Sequence, residues 1–204
     1  LLNYSDNNAC FVNELSSNIE NVCIENCTFN YLNDTQRPPF ISFGMQKGQI
    51  IKNLKIENNY FNDIGTTLIK QSQAAIAVYT NNSGALANPA LAFNIEIKNN
   101  ICNQKQGIYL TTVAGATGAE SPGLNAINCN IEKNICGIIG VVTSGKESTL
   151  TGVTNIDVST GVSITNNSCS VIGNFYDTGN KVVDVEDLFY GIGSLEVKNN
   201  KTHW

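Results

Sequence analysis

The chain has 204 residues, enough for a sizeable apolar core, and we expect a single domain over residues 1–204. Its net charge is −5, and among its 12 basic residues Arg37 is the only arginine, so it lacks the basic cluster that binds a nucleic-acid backbone. No apolar run reaches the ~20 residues needed to cross a bilayer, and we expect no membrane insertion.

The seven cysteines predict neither a zinc site nor a disulfide framework. Their number is odd, the chain is not small, and no Cys-x-x-Cys pair occurs. The single histidine, His203, has no second histidine with which to hold a metal, and it argues against Ser-His-Asp catalysis. We therefore expect no metal and no cofactor, and we interpret several cysteines as small core residues.

In chain order, residues 1–17 are predicted to be the tail of a preceding coil, and the chain reads as a segment of a longer protein. One phrase then recurs at residues 22–29, 54–61, 95–102, 129–136, 162–169 and 195–202. Second predicted strands lie between the phrases, at residues 39–43, 75–79, 107–110, 138–142 and 182–186. One phrase every 32 to 41 residues is the spacing of a solenoid repeat.

Each phrase alternates apolar and polar residues, as a strand does, and stacking the phrases predicts three inward columns. The first is Val22, Leu54, Ile95, Cys129, Val162 and Leu195; the second is Ile24, Ile56, Ile97, Ile131, Ile164 and Val197; the third is Phe29, Phe61, Cys102, Cys136, Cys169 and Thr202. One coil cannot bury its inward face, but coils stacked at ~4.8 Å bury a continuous core. The pattern predicts an all-β, right-handed parallel β-helix of about six coils.

Polar positions of the phrase also align. Asn59, Asn100, Asn134, Asn167 and Asn200 form a column that we interpret as left-handed turn residues whose amides stack. Cys27 replaces asparagine in the first phrase, so this coil is expected to turn differently. Glu57, Lys98 and Glu132 share an outward column, and their alternating signs predict cross-strand ion pairs.

These rows, of the form Ile-x-Ile-x-Asn-Asn-x-(Cys/Phe), resemble the pectate-lyase-like parallel β-helix superfamily, and most closely the β-helix domains of bacteriophage tailspikes and capsule depolymerases. The resemblance covers residues 18–204 and is specific for fold rather than activity. It implies a carbohydrate ligand and, for phage members, a homotrimer. The catalytic motifs of polygalacturonases are absent, and Arg37 lies in a turn-rich stretch that does not resemble the catalytic base of a pectate-type lyase.

Two carboxylates on one predicted strand are the candidate catalytic pair. In the strand at 182–186, Asp184 and Glu186 share the outer face about 6.5–7 Å apart at Cα, since they are two residues apart. Carboxylates roughly 6.5–9.5 Å apart suit an inverting glycosidase, in which one acts as acid and the other activates water. A solvated acidic edge is the alternative interpretation, and Asp187 is a further candidate for substrate binding.

Two tyrosines are predicted to bind sugar rings. Tyr79 and Tyr109 fall on outward positions of comparable strands, where a flat apolar ring with a polar tip can stack on a sugar. Packing beneath a loop or against a trimer partner is the alternative.

The leading hypothesis is a tailspike-like protein that binds and hydrolyses a bacterial capsule or O-antigen polysaccharide. An endo-acting glycoside hydrolase is favoured over a polysaccharide lyase, which is the third hypothesis; a non-catalytic receptor-binding or structural β-helix is the second. The expected location is the virion tail, acting outside the cell, with a secreted or cell-surface protein as the alternative.

Overall fold

A computed structural model of the chain describes residues 2–4, 11–14, 18–31, 40–45, 49–63, 73–80, 90–102, 106–112, 124–142, 160–172 and 194–201. Within these ranges the chain is all-β, with sixteen strands: β1 (Leu2–Tyr4), β2 (Phe11–Glu14), β3 (Ile19–Glu25), β4 (Thr28–Tyr31), β5 (Ile41–Met45), β6 (Ile50–Glu57), β7 (Tyr60–Asp63), β8 (Gln73–Thr80), β9 (Ala90–Lys98), β10 (Ile101–Cys102), β11 (Gln106–Thr112), β12 (Leu124–Glu132), β13 (Ile135–Val142), β14 (Val162–Thr165), β15 (Ser168–Ile172) and β16 (Leu195–Lys198). The described part of the chain contains no helix that could cross a membrane.

The strands form two sheets, and every described strand pair is parallel. The six-stranded sheet has the order β16-β14-β12-β9-β6-β3. The ten-stranded sheet has the order β1-β4-β7-β10-β13-β11-β8-β5-β2, and β15 also pairs with β13. Because β13 pairs with both β10 and β11, it joins two parallel ladders into one sheet. Four predicted second strands coincide with β5, β8, β11 and the end of β13; the fifth, at 182–186, lies outside the described residues.

The chain visits the sheets in a repeating order. It contributes β1 and β2 to the ten-stranded sheet and then β3 to the six-stranded sheet, and it repeats this pattern through β12. Each strand of the six-stranded sheet pairs with the strand of the next repeat. Parallel strands need such long crossover connections, since a tight hairpin can join only antiparallel neighbours.

The second predicted column is confirmed in its register. Ile24 pairs with Ile56, then Ile97, Ile131, Ile164 and finally Val197. The five isoleucines are buried; Val197 lies on the same face through its register with Ile164, but it is 41% exposed, so the core does not cover it. Val197 lies in β16, the last strand in the order of its sheet, and packs against β14 on one side only.

One apolar cluster joins the inward faces of both sheets. It contains the isoleucine column of the six-stranded sheet and the buried Phe29 and Phe61 of β4 and β7. The rings of Phe29 and Phe61 stack with centroids 4.9 Å apart, and Phe40 tilts against both. Removing each such side chain from water contributes about 1.5–3 kcal/mol, which makes this cluster the main source of stability.

The third column is continued by three cysteines. Cys102, Cys136 and Cys169 are buried and free, and Cys136 pairs in register with Cys169. Burial raises the pKa of the Cys169 thiol to about 11 and of the Cys129 thiol, in the first column, to about 12. These thiols are therefore protonated near neutral pH and act as small apolar side chains, as predicted; Thr202 lies outside the described residues.

The predicted asparagine stack is present, and its three central amides are fully used. The Nδ2 of Asn134 donates to Asn167 Oδ1 at 3.0 Å and to the Ile97 carbonyl at 2.9 Å. Its Oδ1 accepts from both the backbone N and the Nδ2 of Asn100, each at 3.0 Å. The same pattern links Asn59, Asn100, Asn134, Asn167 and Asn200, and we call this column the inner ladder. Both amide hydrogens and both acceptor sites of Asn134 are thus satisfied.

The backbone conformation of the inner ladder differs from the prediction. The left-handed residue is the one before each ladder asparagine, as at Asn58 (φ 54°), Asn99 (φ 53°) and Lys133 (φ 56°). These residues are exposed and make the bend, while the next side chain turns inward. Asn26 has φ 56°, and Cys27 donates its backbone N–H to Asn59 Oδ1, so the first coil bends as the others do. The expectation of a different turn there is wrong.

Replacing one inner-ladder amide should destabilise the protein strongly. In Asn134→Ala, the partners on Asn100, Asn167 and Ile97 lose their hydrogen bonds in the interior. Each unsatisfied buried group costs about 1–3 kcal/mol, so we expect the free energy of unfolding in urea to fall by about 3 kcal/mol or more.

Asn99→Gly is the matched control, because Asn99 is exposed and glycine adopts the same left-handed backbone conformation. Its free energy of unfolding should change by less than about 1 kcal/mol. Equal losses in the two variants would show that the buried amide contributes no more than the bend.

Candidate functional site

The predicted acidic site lies in a part of the chain that the structure does not describe. Asp184, Glu186 and Asp187 all lie outside the described residues, so their roles stay predictions. The described part of the chain contains no group of three or more metal-ligating side chains.

The predicted tyrosine platform is wrong for Tyr109. Tyr109 is only 2% exposed, and its strand neighbours Ile108 and Leu110 are fully buried, so both faces of β11 are covered. Tyr79 is half-buried and pairs with Thr111, not with Tyr109, which pairs with Ala77. Strand alternation correctly put Tyr109 on the face opposite Ile108, but it could not reveal that this face is also covered.

A second asparagine column lies on the six-stranded sheet, and sequence reasoning missed it. Asn21, Asn53, Asn94 and Asn128 have φ of 59°, 56°, 54° and 53° within β3, β6, β9 and β12. The Nδ2 of Asn53 donates to Asn21 Oδ1 at 2.8 Å, that of Asn94 to Asn53 Oδ1 at 3.1 Å, and that of Asn128 to Asn94 Oδ1 at 3.4 Å. We call this column the outer ladder. The sequence does contain a pattern that could have revealed the outer ladder. Each of its asparagines lies five residues before the left-handed residue of the following turn.

The outer ladder differs from the inner one in how much of each amide it uses. The ladder bonds of Asn53 and Asn94 take up one Nδ2 hydrogen and one Oδ1 lone pair on each side chain. A carboxamide has two donor hydrogens and two acceptor lone pairs. The outer ladder therefore retains hydrogen-bonding capacity for another molecule.

An open groove of about 470 Å³ runs beside the outer ladder across β6, β9 and β12. It is lined by Asn53, Leu54, Lys55, Asn94, Glu96, Asn128 and Asn130. Lys55 pairs in register with Glu96, and Glu96 with Asn130, so these three side chains form one wall. The ladder amides form the other wall.

The charges on this face are paired along the strands. Lys55 contacts Glu57 at 2.9 Å, and Lys98 contacts Glu96 at 3.3 Å. The hydrogen bond to Glu57 raises the pKa of Lys55. The predicted register of Glu57, Lys98 and Glu132 is confirmed, but the predicted cross-strand ion pairs are not the ones formed.

Glu132 extends this pattern on β12. It contacts the neighbouring Lys133 at 3.1 Å, and hydrogen bonding to Lys133 lowers the pKa of Glu132. Lys55, Lys98 and Lys133 thus each contact a carboxylate of their own segment, which leaves this face close to neutral.

Asn130, which lines the groove, also holds an unpaired acceptor. Its Oδ1 is buried and has no hydrogen-bond partner among the described residues. A buried amide oxygen without a partner costs roughly 1–3 kcal/mol, so native proteins keep few of them.

The exposed apolar side chains lie elsewhere than predicted. Tyr60, Ile101 and Ile135 are 45%, 46% and 43% exposed and pair in register on β7, β10 and β13. They occupy the position just after each inner-ladder asparagine. Among the aromatic residues whose burial the structure describes, Tyr60 is exposed and Tyr109 is buried.

Comparisons of the chain with protein-family models, with curated proteins and with solved structures find no match.

The position of the Tyr109 ring predicts the effect of a substitution at Gly107. A Cβ atom on Gly107 would overlap the hydroxyl and ring of Tyr109, which pack directly over this glycine. Overpacking a buried site costs about 1–3 kcal/mol, so we expect Gly107→Ala to lower the free energy of unfolding by this amount. Urea denaturation measures the change.

A double-mutant cycle isolates the cause. In a Tyr109→Leu background the same Gly107→Ala change should cost much less, because the overlapping ring has been removed. An undiminished cost in that background would assign the effect to the backbone rather than to the ring.

Proposed function

We propose that the chain is a right-handed parallel β-helix of about six coils, similar to tailspike domains, and that it binds a bacterial surface polysaccharide along the groove. The architecture is supported by the repeating order in which the chain visits the two sheets. It is also supported by the six residues from Ile24 to Val197, which pair in register on six successive strands. A solenoid joins neighbouring repeats through such in-register contacts.

The observation that carries the binding proposal is the regular row of polar groups along the groove. Asn53, Asn94 and Asn128 repeat one amide on consecutive strands, at the ~4.8 Å spacing of a sheet. Lys55, Glu96 and Asn130 line the groove beside them with an ammonium, a carboxylate and a further amide. A polymer of hydroxyl-bearing units offers donors and acceptors at intervals along its length, which matches such a row.

The charge of the groove indicates the kind of polysaccharide. Its lining contains one cation, Lys55, and one anion, Glu96, and each has an opposite charge two residues away on its own strand. A surface without excess charge gives no electrostatic attraction to a polyanion. We therefore infer a largely neutral polysaccharide, which also favours binding or hydrolysis over a lyase acting on uronic acids.

Glu96 provides the direct test of the groove. Its carboxylate can accept charge-assisted hydrogen bonds from sugar hydroxyls, each contributing about 1.5–3 kcal/mol. We expect Glu96→Gln to weaken binding of purified neutral capsular or O-antigen polysaccharide about tenfold, as measured by isothermal titration calorimetry.

Glu196→Gln is the matched control. Glu196 lies in the same outward column on β16 and contacts Lys198 as Glu96 contacts Lys98, but it does not line the groove. Its affinity should equal that of the unmodified protein. Equal losses in both variants, or polysaccharide binding that neither affects, would contradict the assignment of the groove.

We also propose that Asp184 and Glu186 hydrolyse the bound polysaccharide as an acid/base pair. The support for this proposal is their spacing of two residues in the sequence. We expect Asp184→Asn and Glu186→Gln each to slow the shortening of a bound polysaccharide at least about a hundredfold, since each removes an acid or base. Chain size, reducing ends and ultraviolet absorbance are measured together, with Glu20→Gln on β3 as control. Shortening with new absorbance would indicate a lyase, and binding without shortening would indicate a receptor-binding protein.

The homotrimer and the virion-tail location rest on the resemblance to tailspikes alone. Both stay predictions.

A further inference from the structure

The outer ladder stops at a glycine. Thr160 forms a bridge with Ile127, and Ser163 pairs with Asn130, so Gly161 occupies the ladder position opposite Asn128. Gly161 has φ +66°, the same left-handed conformation as the four ladder asparagines. The backbone bend therefore continues into the fifth rung, while the amide side chain does not.

This glycine leaves the last ladder oxygen unused. In the outer ladder each Oδ1 accepts from the Nδ2 of the following rung, as Asn94 Oδ1 does from Asn128. Asn128 Oδ1 has no such donor in the described part of the chain, because the following rung is Gly161. It faces that rung closely, since a Cβ atom on Gly161 would lie 2.7 Å from Asn128 Oδ1.

An apolar surface borders the same position. Ile127 precedes Asn128 on β12 and pairs in register with Phe93 on β9. Both are half-buried and lie on the face opposite the buried Ala126 and Ala92. A small apolar group placed beside the end of the ladder could pack against them.

We propose, on the basis of the polysaccharide-binding function above, that the fifth rung is completed by the acetamido group of an N-acetylated sugar. The acetamido N–H donates to Asn128 Oδ1, as the Nδ2 of a fifth asparagine would. The methyl group packs on Ile127 and Phe93. The planar amide of the ligand continues a stack of planar amides, whereas a hydroxyl in its place offers no matching plane and no methyl group.

The test compares two oligosaccharides that differ in this group. Chitohexaose carries an acetamido group at C2 of each unit, and cellohexaose carries a hydroxyl there. With the full chain we expect calorimetry to give an affinity for chitohexaose at least about tenfold higher. Equal affinities would overturn the inference.

Gly161→Asn tests the position directly. Asparagine occupies the equivalent rungs at φ 53–59°, so the variant should fold. Its Cβ would lie 2.7 Å from Asn128 Oδ1, so the exposed Asn128 amide has to rotate slightly before it accepts from the new Nδ2. The added side chain takes the place of the acetamido group, and we expect the preference for chitohexaose to disappear while cellohexaose binding remains. A preference that survives this substitution would overturn the inference.

A second pair of variants does not depend on Gly161. Asn128→Gly removes the acceptor at the end of the ladder next to Gly161, and Asn21→Gly removes the amide at the opposite end. Glycine suits the left-handed conformation at both positions, and each variant loses one ladder hydrogen bond. Only Asn128→Gly should lose the preference; loss in both would assign the effect to ladder stability.

The two proposals fail in different ways. If neutral polysaccharides bind with dependence on Glu96, but with no preference for acetamido groups, the groove function stands and the fifth-rung site is wrong. If chitohexaose, cellohexaose and the purified polysaccharides all fail to bind, both proposals are wrong.

Discussion

The buried amides of the inner ladder are the constraint on which the rest of the structure depends. Each one ties its strand to both neighbours, because its oxygen accepts from the rung before and its nitrogen donates to the rung after. A one-residue slip of any strand would move its apolar set to the other face and leave these amides unpaired in the interior. The isoleucine column supplies the larger share of the free energy, since apolar burial is not directional. The inner ladder supplies the directional bonds that fix the register.

The inward faces could be predicted from the sequence because the pattern that specifies them is hydrophobic alternation at a fixed offset. The offset also predicted which amides stack. It misplaced the left-handed residue by one position, because an Asn-Asn pair offers two candidates for one bend. The fourth phrase distinguishes the two positions, because it has Lys133-Asn134 in place of an Asn-Asn pair. The second position is buried and must be an amide. The first is exposed and accepts lysine at φ 56°.

The candidate site was harder to predict because it depends on what covers an outward face and on which partner a charge selects. Tyr109 alternates correctly with Ile108 and Leu110, yet all three are buried. Glu57 has Lys55 two residues away on its own strand and Lys98 in register on the next strand, and it contacts Lys55. Spacing alone does not decide between such partners. The outer ladder has the same period as the inner one, but it precedes the apolar part of each phrase and is therefore easily taken for a loop.

The two ladders differ in how much of each amide the fold itself uses. The inner ladder uses both hydrogens and both acceptor sites of each central amide, so nothing remains for a ligand. The outer ladder runs in the opposite direction, with each nitrogen donating to the rung before it, and uses half of this capacity. At its end Gly161 keeps the left-handed bend, so the register is unchanged, while the side chain that would satisfy Asn128 is missing. Because only the side chain is missing there, the group that fits this position best is one with the chemistry of that side chain, a planar amide.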